Sequence, residues 1–238
     1  MPIRAVGFDI DGTVYPSTAL YIRMLPRAIV SFKLMRAFSA VRKELRLLNP
    51  TLPYQSSPPA SLDSFHRFQA GLVAKKLGGA PEASYEAIKR IFYHESFEPF
   101  DRIALFPGVR ECLARLRAEG LKLGALSDFP CERKIALMGL SDAFDLAMTS
   151  EETGLVKPDR ASFDRLAASL GVANEDMLYV GNSEAYDVRG AAAAGMKTAL
   201  IAKRAKDRAN SRADFCFSDF KELTAYVLRS MHDQKENV

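Results

Sequence analysis

Four short polar motifs carry side chains suited to chemistry on phosphate groups, and each follows an apolar segment. They are Asp9-Ile10-Asp11-Gly12-Thr13-Val14, Ser127-Asp128, Lys157-Pro158 and residues 181–187, which include Asn182 and Asp187. One carboxylate of the first motif could attack phosphorus while the other serves as acid and then as base. Attack by an aspartate is an established form of covalent catalysis, because it divides one difficult displacement into two easier steps.

The same motifs also suggest what must accompany the two carboxylates. Asp9 and Asp11 would repel a phosphate dianion, so this chemistry requires a hard cation, and Mg²⁺ prefers oxygen ligands of this kind. Lys157 and the Ser127 hydroxyl could hold the phosphoryl oxygens and offset developing charge. Gly12 allows the chain to turn away sharply after the two aspartates. The residue types therefore predict a site for phosphoryl transfer.

The strand and helix patterns between the motifs predict how the motifs come together in the fold. Short apolar runs at 3–8, 121–126, 145–148, 177–180 and 198–201 are typical of buried parallel strands. Helical patterns at 109–119, 160–170 and 188–194 each end at a glycine. This alternation predicts an α/β fold with a Rossmann-like parallel sheet covered on both faces. The carboxyl ends of parallel strands share one edge, so the four motifs should converge there.

The interval from 16 to 100 departs from this alternation and predicts an inserted all-helical cap domain. It contains no convincing strand, whereas Leu34, Phe38, Val41, Leu45 and Leu48 recur at helical spacing. Ser61 is placed to cap a second helix that Gly78-Gly79 would end, and Pro81 is placed to start a third. We therefore expect a discontinuous core of residues 1–15 and 101–238, and a cap of residues 16–100.

The order of the four motifs resembles that of the haloacid dehalogenase-like (HAD) hydrolase superfamily. The DxDGT sequence at 9–13, the strand-terminal Ser127, the Lys157-Pro158 pair and the acidic motif ending at Asp187 all match. The similarity covers the predicted core, and the insertion matches in position and helical character. Family members with an insertion at this point use it as a mobile cap over the substrate.

The resemblance implies roles for the carboxylates and for a metal ion. Asp9 corresponds to the nucleophile and Asp11 to the general acid and base. The implied Mg²⁺ ligands are Asp9, the backbone carbonyl of Asp11 and residue 182, with Asp187 in support. Phosphatases of the family usually have aspartate at position 182, where this chain has asparagine. An amide oxygen can still bind Mg²⁺, but one negative charge is missing, so we expect weaker Mg²⁺ binding.

The resemblance also assigns the phosphate-binding groups, namely Ser127, Lys157 and the backbone at Asp128. We therefore expect a Mg²⁺-dependent phosphatase that hydrolyses a small phosphorylated metabolite through an aspartyl phosphate. A phosphosugar mutase shares the two aspartates and stays open as an alternative. A dehalogenase is disfavoured, because that chemistry does not use the acid/base Asp11.

Two further alternatives are open at the level of sequence. A phosphonatase would need a cap lysine that forms a Schiff base, and Lys33, Lys43 and Lys75 lie in the insertion without a feature that distinguishes one of them. A non-catalytic module that binds a ligand or partner is the competing class, and Asn182 is the residue that favours it. Intact Asp9 and Lys157 argue against the module.

The composition is that of a soluble globular protein of 238 residues, with 48% hydrophobic and 26% charged residues. The three cysteines are too widely spaced for a disulfide framework, and no uncharged stretch is long enough to span a membrane, so we expect a cytoplasmic protein. Seven of the residues from 23 to 46 are basic and only Glu44 is acidic, within a net charge of +4. A solvated helix face is the expected explanation. We expect no nucleic acid partner, and the sequence leaves the oligomeric state open.

Overall fold

The fold is a six-stranded parallel sheet covered by helices, with further helices inserted after the first strand. The computed structural model describes residues 3–19, 21–22, 31–47, 58–94, 100 and 103–235. The strands are β1 (Ala5–Phe8), β2 (Lys122–Ser127), β3 (Leu146–Thr149), β4 (Met177–Gly181), β5 (Lys197–Ile201) and β6 (Phe215–Phe217). The α-helices are α1 (Phe32–Leu45), α2 (Leu62–Leu77), α3 (Pro81–Ile88), α4 (Val109–Ala118), α5 (Glu132–Leu137), α6 (Arg160–Leu170), α7 (Arg189–Ala193), α8 (Ala205–Ala209) and α9 (Phe220–Lys235).

The strand order is β3-β2-β1-β4-β5-β6, and every neighbouring pair is parallel. The central strand β1 pairs with both β2 and β4, so that Phe8 lies opposite Ala125 on one side and Val180 on the other. This register brings the ends of β1, β2 and β4 to one level at the same edge. The predicted α/β fold with a Rossmann-like parallel sheet is confirmed.

Both faces of the sheet are buried, which explains why its strands are apolar runs rather than alternating sequences. On one face, Val6 and Phe8 pack with residues of α4 and α9, including Leu113 and Leu223. The other face contributes Ala5, Met177 and Tyr179 to a cluster with α6 and α7. Because successive side chains of a strand point to opposite faces, Ala5 and Val6 belong to different clusters.

Most predicted elements of the core are present, with three differences. The strands predicted at 121–126 and 145–148 are each shifted by one residue towards the C-terminus. The helix predicted at 188–194 is a π-helical turn at Glu184–Val188 followed by α7. No sequence pattern predicted β6, α5, α8 or α9, and a strand of three residues is too short to show a periodic pattern.

The helices α1, α2 and α3 lie within the interval 16–100 and bury a hydrophobic cluster of their own. Phe38 and Val41 of α1 pack there, and the Phe38 ring stacks on Phe92 with 3.8 Å between centroids. The predicted ends of α2 are confirmed, since Ser61 forms a capping box and Gly78 closes the helix in the left-handed conformation. Leu48, expected on the apolar face of α1, lies outside the described residues. The boundary of a separate cap domain stays a prediction.

This cap cluster also includes Leu155 and Val156, which belong to the loop that leads to Lys157. A buried ion pair joins the same two regions, because Arg42 of α1 donates a hydrogen bond to the Glu151 carboxylate. The Glu151 carboxylate also accepts from the Tyr93 hydroxyl at 2.9 Å and lies 2.9 Å from His66. The cap helices are therefore attached to the core through the segment that carries a predicted site residue.

The basic residues of the first cap helix do not all face solvent as expected. Lys33, Arg36 and Lys43 are exposed, but the Arg42 side chain is only 4% exposed and Arg46 is half-buried. Arg42 and Arg46 turn toward carboxylates of the core, so the prediction of a solvated face is wrong for them. Arg23 and Arg27 lie outside the described residues. Among the described helices, none is long and apolar enough to cross a membrane.

We expect Arg42→Met to destabilise the protein strongly. Removing one partner of a buried ion pair leaves the Glu151 charge uncompensated, at a cost of about 3–5 kcal/mol in the free energy of unfolding. The control is Arg160→Met, which removes an exposed pair with Asp164 and should cost less than about 1 kcal/mol. Urea unfolding monitored by circular dichroism measures both. The prediction would be contradicted if Arg42→Met lowered the free energy of unfolding no more than the control does.

Candidate active site

The predicted site residues come together at the carboxyl ends of the central strands, around a cavity of about 280 Å³. Its lining includes the six predicted residues Asp9, Asp11, Asp128, Lys157, Asn182 and Asp187. The seventh, Ser127, is fully buried at the end of β2 and contacts Asp11. Residues more than 170 positions apart in the chain thus share one pocket, because parallel strands end at the same edge of the sheet.

Asp9, directly after β1, is held by one donor on each carboxylate oxygen. Lys157 Nζ donates to Oδ1 at 2.7 Å, and the Thr13 hydroxyl donates to Oδ2 at 2.7 Å. The side chain of Asp9 is 7% exposed, so only a narrow part of it faces the cavity. These two hydrogen bonds fix the orientation of a carboxylate that has little freedom to turn.

Lys157 is buried between two carboxylates. Its Nζ atom donates to Asp187 Oδ1 at 2.8 Å as well as to Asp9, and it lies 3.3 Å from the Tyr179 hydroxyl. Burial by itself would lower the pKa of this ammonium, but Asp187 and Asp9 outweigh it and raise the pKa well above its ordinary value. Lys157 is therefore a permanent positive charge at the end of the sheet.

The surroundings of Asp9 nevertheless disfavour its charged form. Burial raises the pKa of Asp9 to about 7, and the neighbouring Asp187 and Asp11 carboxylates add to the increase although Lys157 opposes it. A pKa so far above the ordinary aspartate value means that the site does not fully compensate the charge of the ionised form. This imbalance is what a bound cation would relieve.

Asp187 organises the loop after β4. Its Oδ2 atom accepts from the backbone amides of Asn182 at 3.1 Å and Ser183 at 2.9 Å. Gly181 makes this approach possible, because a Cβ atom at that position would lie 2.3 Å from the Cβ of Asp187. The turn that follows is capped by Ser183, whose hydroxyl accepts a hydrogen bond from the Tyr186 amide. The supporting role of Asp187 towards a metal ion stays a prediction.

Asp11 is surrounded by hydrogen-bond donors. Lys134 of α5 lies 3.0 Å from Oδ1 and 2.8 Å from Oδ2, the Tyr15 hydroxyl donates to Oδ1, and the Ser127 hydroxyl donates to Oδ2 at 3.1 Å. Burial alone would raise the pKa of Asp11, but the Lys134 ammonium and these hydrogen bonds lower it below its ordinary value. Asp11 and Asp9, two residues apart, therefore differ in the direction of their pKa shifts, because cationic and hydroxyl donors surround Asp11 whereas burial is the largest effect at Asp9.

Asp128 is anchored by contacts from three parts of the chain. Its carboxylate accepts from the Ser150 hydroxyl at 2.7 Å, from the Lys157 amide at 3.1 Å and from Arg46 at 2.8 Å. Burial opposes ionisation, yet Lys157, Arg42 and Arg46 together hold the pKa of Asp128 well below its ordinary range. The Asp128 side chain thus fixes the loop on which a phosphate-binding backbone amide was predicted.

Asn182 is exposed and lies against the turn at Gly12. Gly12 has φ of +96°, and a Cβ atom there would lie 2.2 Å from the Asn182 amide nitrogen. Glycine is therefore needed at position 12 both for the left-handed backbone and for contact with Asn182. The resemblance to the family had singled out both residues, and the structure brings them into contact.

The predicted Mg²⁺ ligands fit a hard cation by their chemistry. The Asp9 carboxylate, the Asp11 backbone carbonyl and the Asn182 amide are all oxygen donors, as Mg²⁺ prefers. Among the described residues, no group of three or more His, Cys, Asp or Glu side chains is placed to hold a metal ion. The donor set therefore depends on one carboxylate together with a backbone carbonyl and an amide.

Sequence reasoning missed several residues that contact the site. Lys134 had no signal, because a lone lysine on a short helix matches no motif. Thr13 belonged to the DxDGT match without an assigned role. Arg46 of the cap lines the cavity, and its guanidinium lies 4.5 Å over the Tyr186 ring. The cap lysines Lys33, Lys43 and Lys75, considered for a Schiff base, are not among the described residues that line this cavity.

Comparison with characterised proteins gives close agreement over most of the chain. It is 31% identical to a glyceraldehyde 3-phosphate phosphatase of Methanopyrus kandleri over 224 residues, which covers 92% of both chains. A phosphoglycolate phosphatase of Cereibacter sphaeroides is 31% identical over 166 residues, covering 68% of this chain and 70% of that protein.

The fold and the family profile agree with these relatives. The crystal structure of a HAD phosphatase from Thermococcus onnurineus superimposes with a TM-score of 0.62 at 24% identity, covering 94% of this chain and 97% of that one. The sequence profile of the haloacid dehalogenase-like hydrolases matches residues 3–195, a range that contains all four motifs. The chain therefore belongs to the haloacid dehalogenase-like hydrolases.

Proposed function

We propose that this hydrolase is a Mg²⁺-dependent phosphatase that acts on a small phosphorylated metabolite through an aspartyl phosphate on Asp9. The observation that carries the proposal is the buried arrangement of Asp9 against Lys157, itself paired with Asp187, beside the cavity. This arrangement supports Asp9 as the nucleophile and Lys157 as the positive charge that an entering phosphoryl group would meet. Asp11, two residues on, supplies a second carboxylate with a different environment.

In the first half of the reaction, an Asp9 oxygen forms a bond to phosphorus while the bond from phosphorus to the alcohol oxygen breaks. Asp11 gives a proton to the departing alcohol oxygen and becomes a carboxylate. Lys157 and the Ser127 hydroxyl hold the phosphoryl oxygens and stabilise the charge that develops on them.

In the second half, water attacks the phosphorus of the aspartyl phosphate. The Asp11 carboxylate accepts a proton from that water, which restores its acid form, while the bond to Asp9 breaks and inorganic phosphate leaves. One residue thus serves as acid and then as base, which requires that it stay close to the reacting oxygen in both steps.

The residues that would hold Mg²⁺ are Asp9, Asn182 through its amide oxygen, and Asp11 through its backbone carbonyl. When bound, the ion would neutralise phosphate charge and favour the charged form of the buried Asp9. Asp187 supports this arrangement by fixing the loop that carries Asn182.

The size of the cavity supports a small substrate. A volume of about 280 Å³ lies just below the usual range of ligand pockets, about 300–1,000 Å³. The relatives described above are named for glyceraldehyde 3-phosphate and for phosphoglycolate. We therefore place the substrate among phosphate monoesters of short polar carbon chains.

We expect Asp9→Asn to abolish turnover, because the amide is a poor nucleophile and cannot form the acyl phosphate. Release of inorganic phosphate from 4-nitrophenyl phosphate and from short-chain phosphate esters should fall by roughly 10³-fold or more. Asp142→Asn, which changes an exposed aspartate outside the cavity, is the matched control and should retain the wild-type rate.

Three outcomes would contradict the proposal. Persistence of turnover in Asp9→Asn would exclude Asp9 as the nucleophile. Conversion of a sugar phosphate into its isomer without release of phosphate would identify a mutase. Failure of wild type and of Asn182→Asp to hydrolyse any ester, together with salt-sensitive binding of a partner, would favour the non-catalytic module.

Asn182→Asp should strengthen Mg²⁺ binding, because it adds a negative charge to the donor set. We expect the Mg²⁺ concentration that gives half-maximal activity to fall by roughly tenfold, which corresponds to about 1.4 kcal/mol of binding free energy. Titration of activity against Mg²⁺ measures this, with Asn210→Asp on the exposed end of α8 as the control. Identical half-saturation for Asn182→Asp and wild type would refute the expected role of the amide.

In the absence of metal, Asp9→Asn should stabilise the protein increasingly as pH rises. The pKa of Asp9 is raised to about 7 in the folded protein, so between about pH 4 and pH 7 the folded state keeps a proton that the unfolded state has lost. Stability of the wild type therefore falls over that range, and the asparagine removes this loss. Urea unfolding in EDTA measures the free energy of unfolding of both proteins at pH 5 and pH 8. The advantage of Asp9→Asn over wild type should grow by about 1–3 kcal/mol between the two pH values. A constant difference would contradict the raised pKa.

A further inference from the structure

Lys134 is a buried cation that lies outside the four motifs and contacts the site. It projects from α5, its side chain is 5% exposed, and its Nζ atom contacts both carboxylate oxygens of Asp11. The rings of Phe100 and Phe129 lie 5.4 Å and 5.5 Å from the same nitrogen. These neighbours confine the ammonium, so its position relative to Asp11 is well defined.

The donors around Asp11 occupy all the acceptor positions of its carboxylate. A carboxylate has about four lone-pair positions. Lys134 occupies one on each oxygen, Tyr15 a second on Oδ1, and Ser127 a second on Oδ2. In this arrangement, Asp11 can contact a substrate oxygen only after one donor has left.

Of these donors, Ser127 is the one that could donate to a substrate oxygen instead of to Asp11. Its hydroxyl is proposed to bind a phosphoryl oxygen, and that would withdraw it from Asp11 Oδ2. Entry of the phosphate would thus free one position on Asp11 Oδ2, where the proton for the leaving oxygen can reside, while Lys134 and Tyr15 continue to hold the carboxyl group in place. Binding of substrate would in this way prepare Asp11 for its contact with the leaving oxygen.

We propose that Lys134 is a positioning residue for Asp11, one that keeps its carboxyl group oriented towards the leaving oxygen and stabilises the carboxylate formed when its proton departs. The inference rests on the proposed function, in which Asp11 is the acid. Lys134 neither gives nor takes a proton in this step. The bond from phosphorus to the alcohol oxygen breaks, that oxygen gains the Asp11 proton, and the Asp11 anion stays paired with Lys134.

The dependence of rate on the leaving group distinguishes this role from a structural one. The 4-nitrophenolate ion is a stable anion and needs little help from an acid, whereas an ethoxide ion must be protonated as it leaves. The ratio kcat/KM reports the steps up to formation of the aspartyl phosphate, so it isolates the step in which Asp11 acts as an acid. Damage to the fold would lower kcat/KM for both esters alike.

The experiment measures kcat/KM for 4-nitrophenyl phosphate and ethyl phosphate in wild type, Lys134→Met, Lys134→Gln and Asp11→Asn, all with saturating Mg²⁺. We expect Lys134→Met to lower the value for ethyl phosphate by about tenfold to a hundredfold more than that for the aryl ester, since a hydrogen bond to a charged group is involved. Asp11→Asn should show the same selectivity to a greater extent. Lys75→Met, on the exposed end of α2, is the matched control and should change neither value.

An equal loss for both esters, or no loss, would overturn the inference. If Lys134→Met does not fold, as judged by circular dichroism, Lys134→Gln is judged by the same criterion, because it retains a donor without the charge. Failure of the proposed function would look different: wild type would hydrolyse neither ester, or Asp9→Asn would retain turnover.

Discussion

The burial of several carboxylates at the end of one sheet is the constraint on which the rest of the structure depends. Asp9 and Asp187 are tolerated there because Lys157 lies between them, bonded to both. A buried ion pair contributes little net stability, since loss of hydration offsets most of the attraction. Its effect in this position is on geometry. It fixes the proposed nucleophile Asp9, and the loop that carries Asn182, relative to the permanent positive charge of Lys157.

The cap helices are attached to this same arrangement rather than to a remote part of the core. Leu155 and Val156, just before Lys157, are buried in the hydrophobic cluster of the cap, and Glu151 of the same segment binds Arg42. Arg42 also donates to the Asp128 carbonyl at 2.7 Å. The positions of the cap helices and of the loops that carry Asp128 and Lys157 are therefore linked through buried polar contacts, which tolerate little displacement.

Two aspartates that are neighbours in sequence acquire different properties from what surrounds them. Burial and like charges raise the pKa of Asp9, whereas Lys134, Tyr15 and Ser127 lower that of Asp11. In the absence of a cation, ionisation of the buried Asp9 carboxylate lowers the free energy of unfolding. Functional sites commonly give up some stability in this way.

The sequence by itself determined the α/β fold, the family and the set of residues that meet at the strand ends. Apolar runs, glycine helix stops and motifs placed after strands are local patterns, and the parallel topology then brings the motifs to one edge. Only the tertiary structure decided what each residue contacts. Lys134 meets Asp11 across 123 positions and Arg42 meets Glu151 across 109, and such pairs leave no periodic signal. Long-range contacts depend on how helices pack on the sheet, because packing brings together side chains that no spacing in the sequence relates.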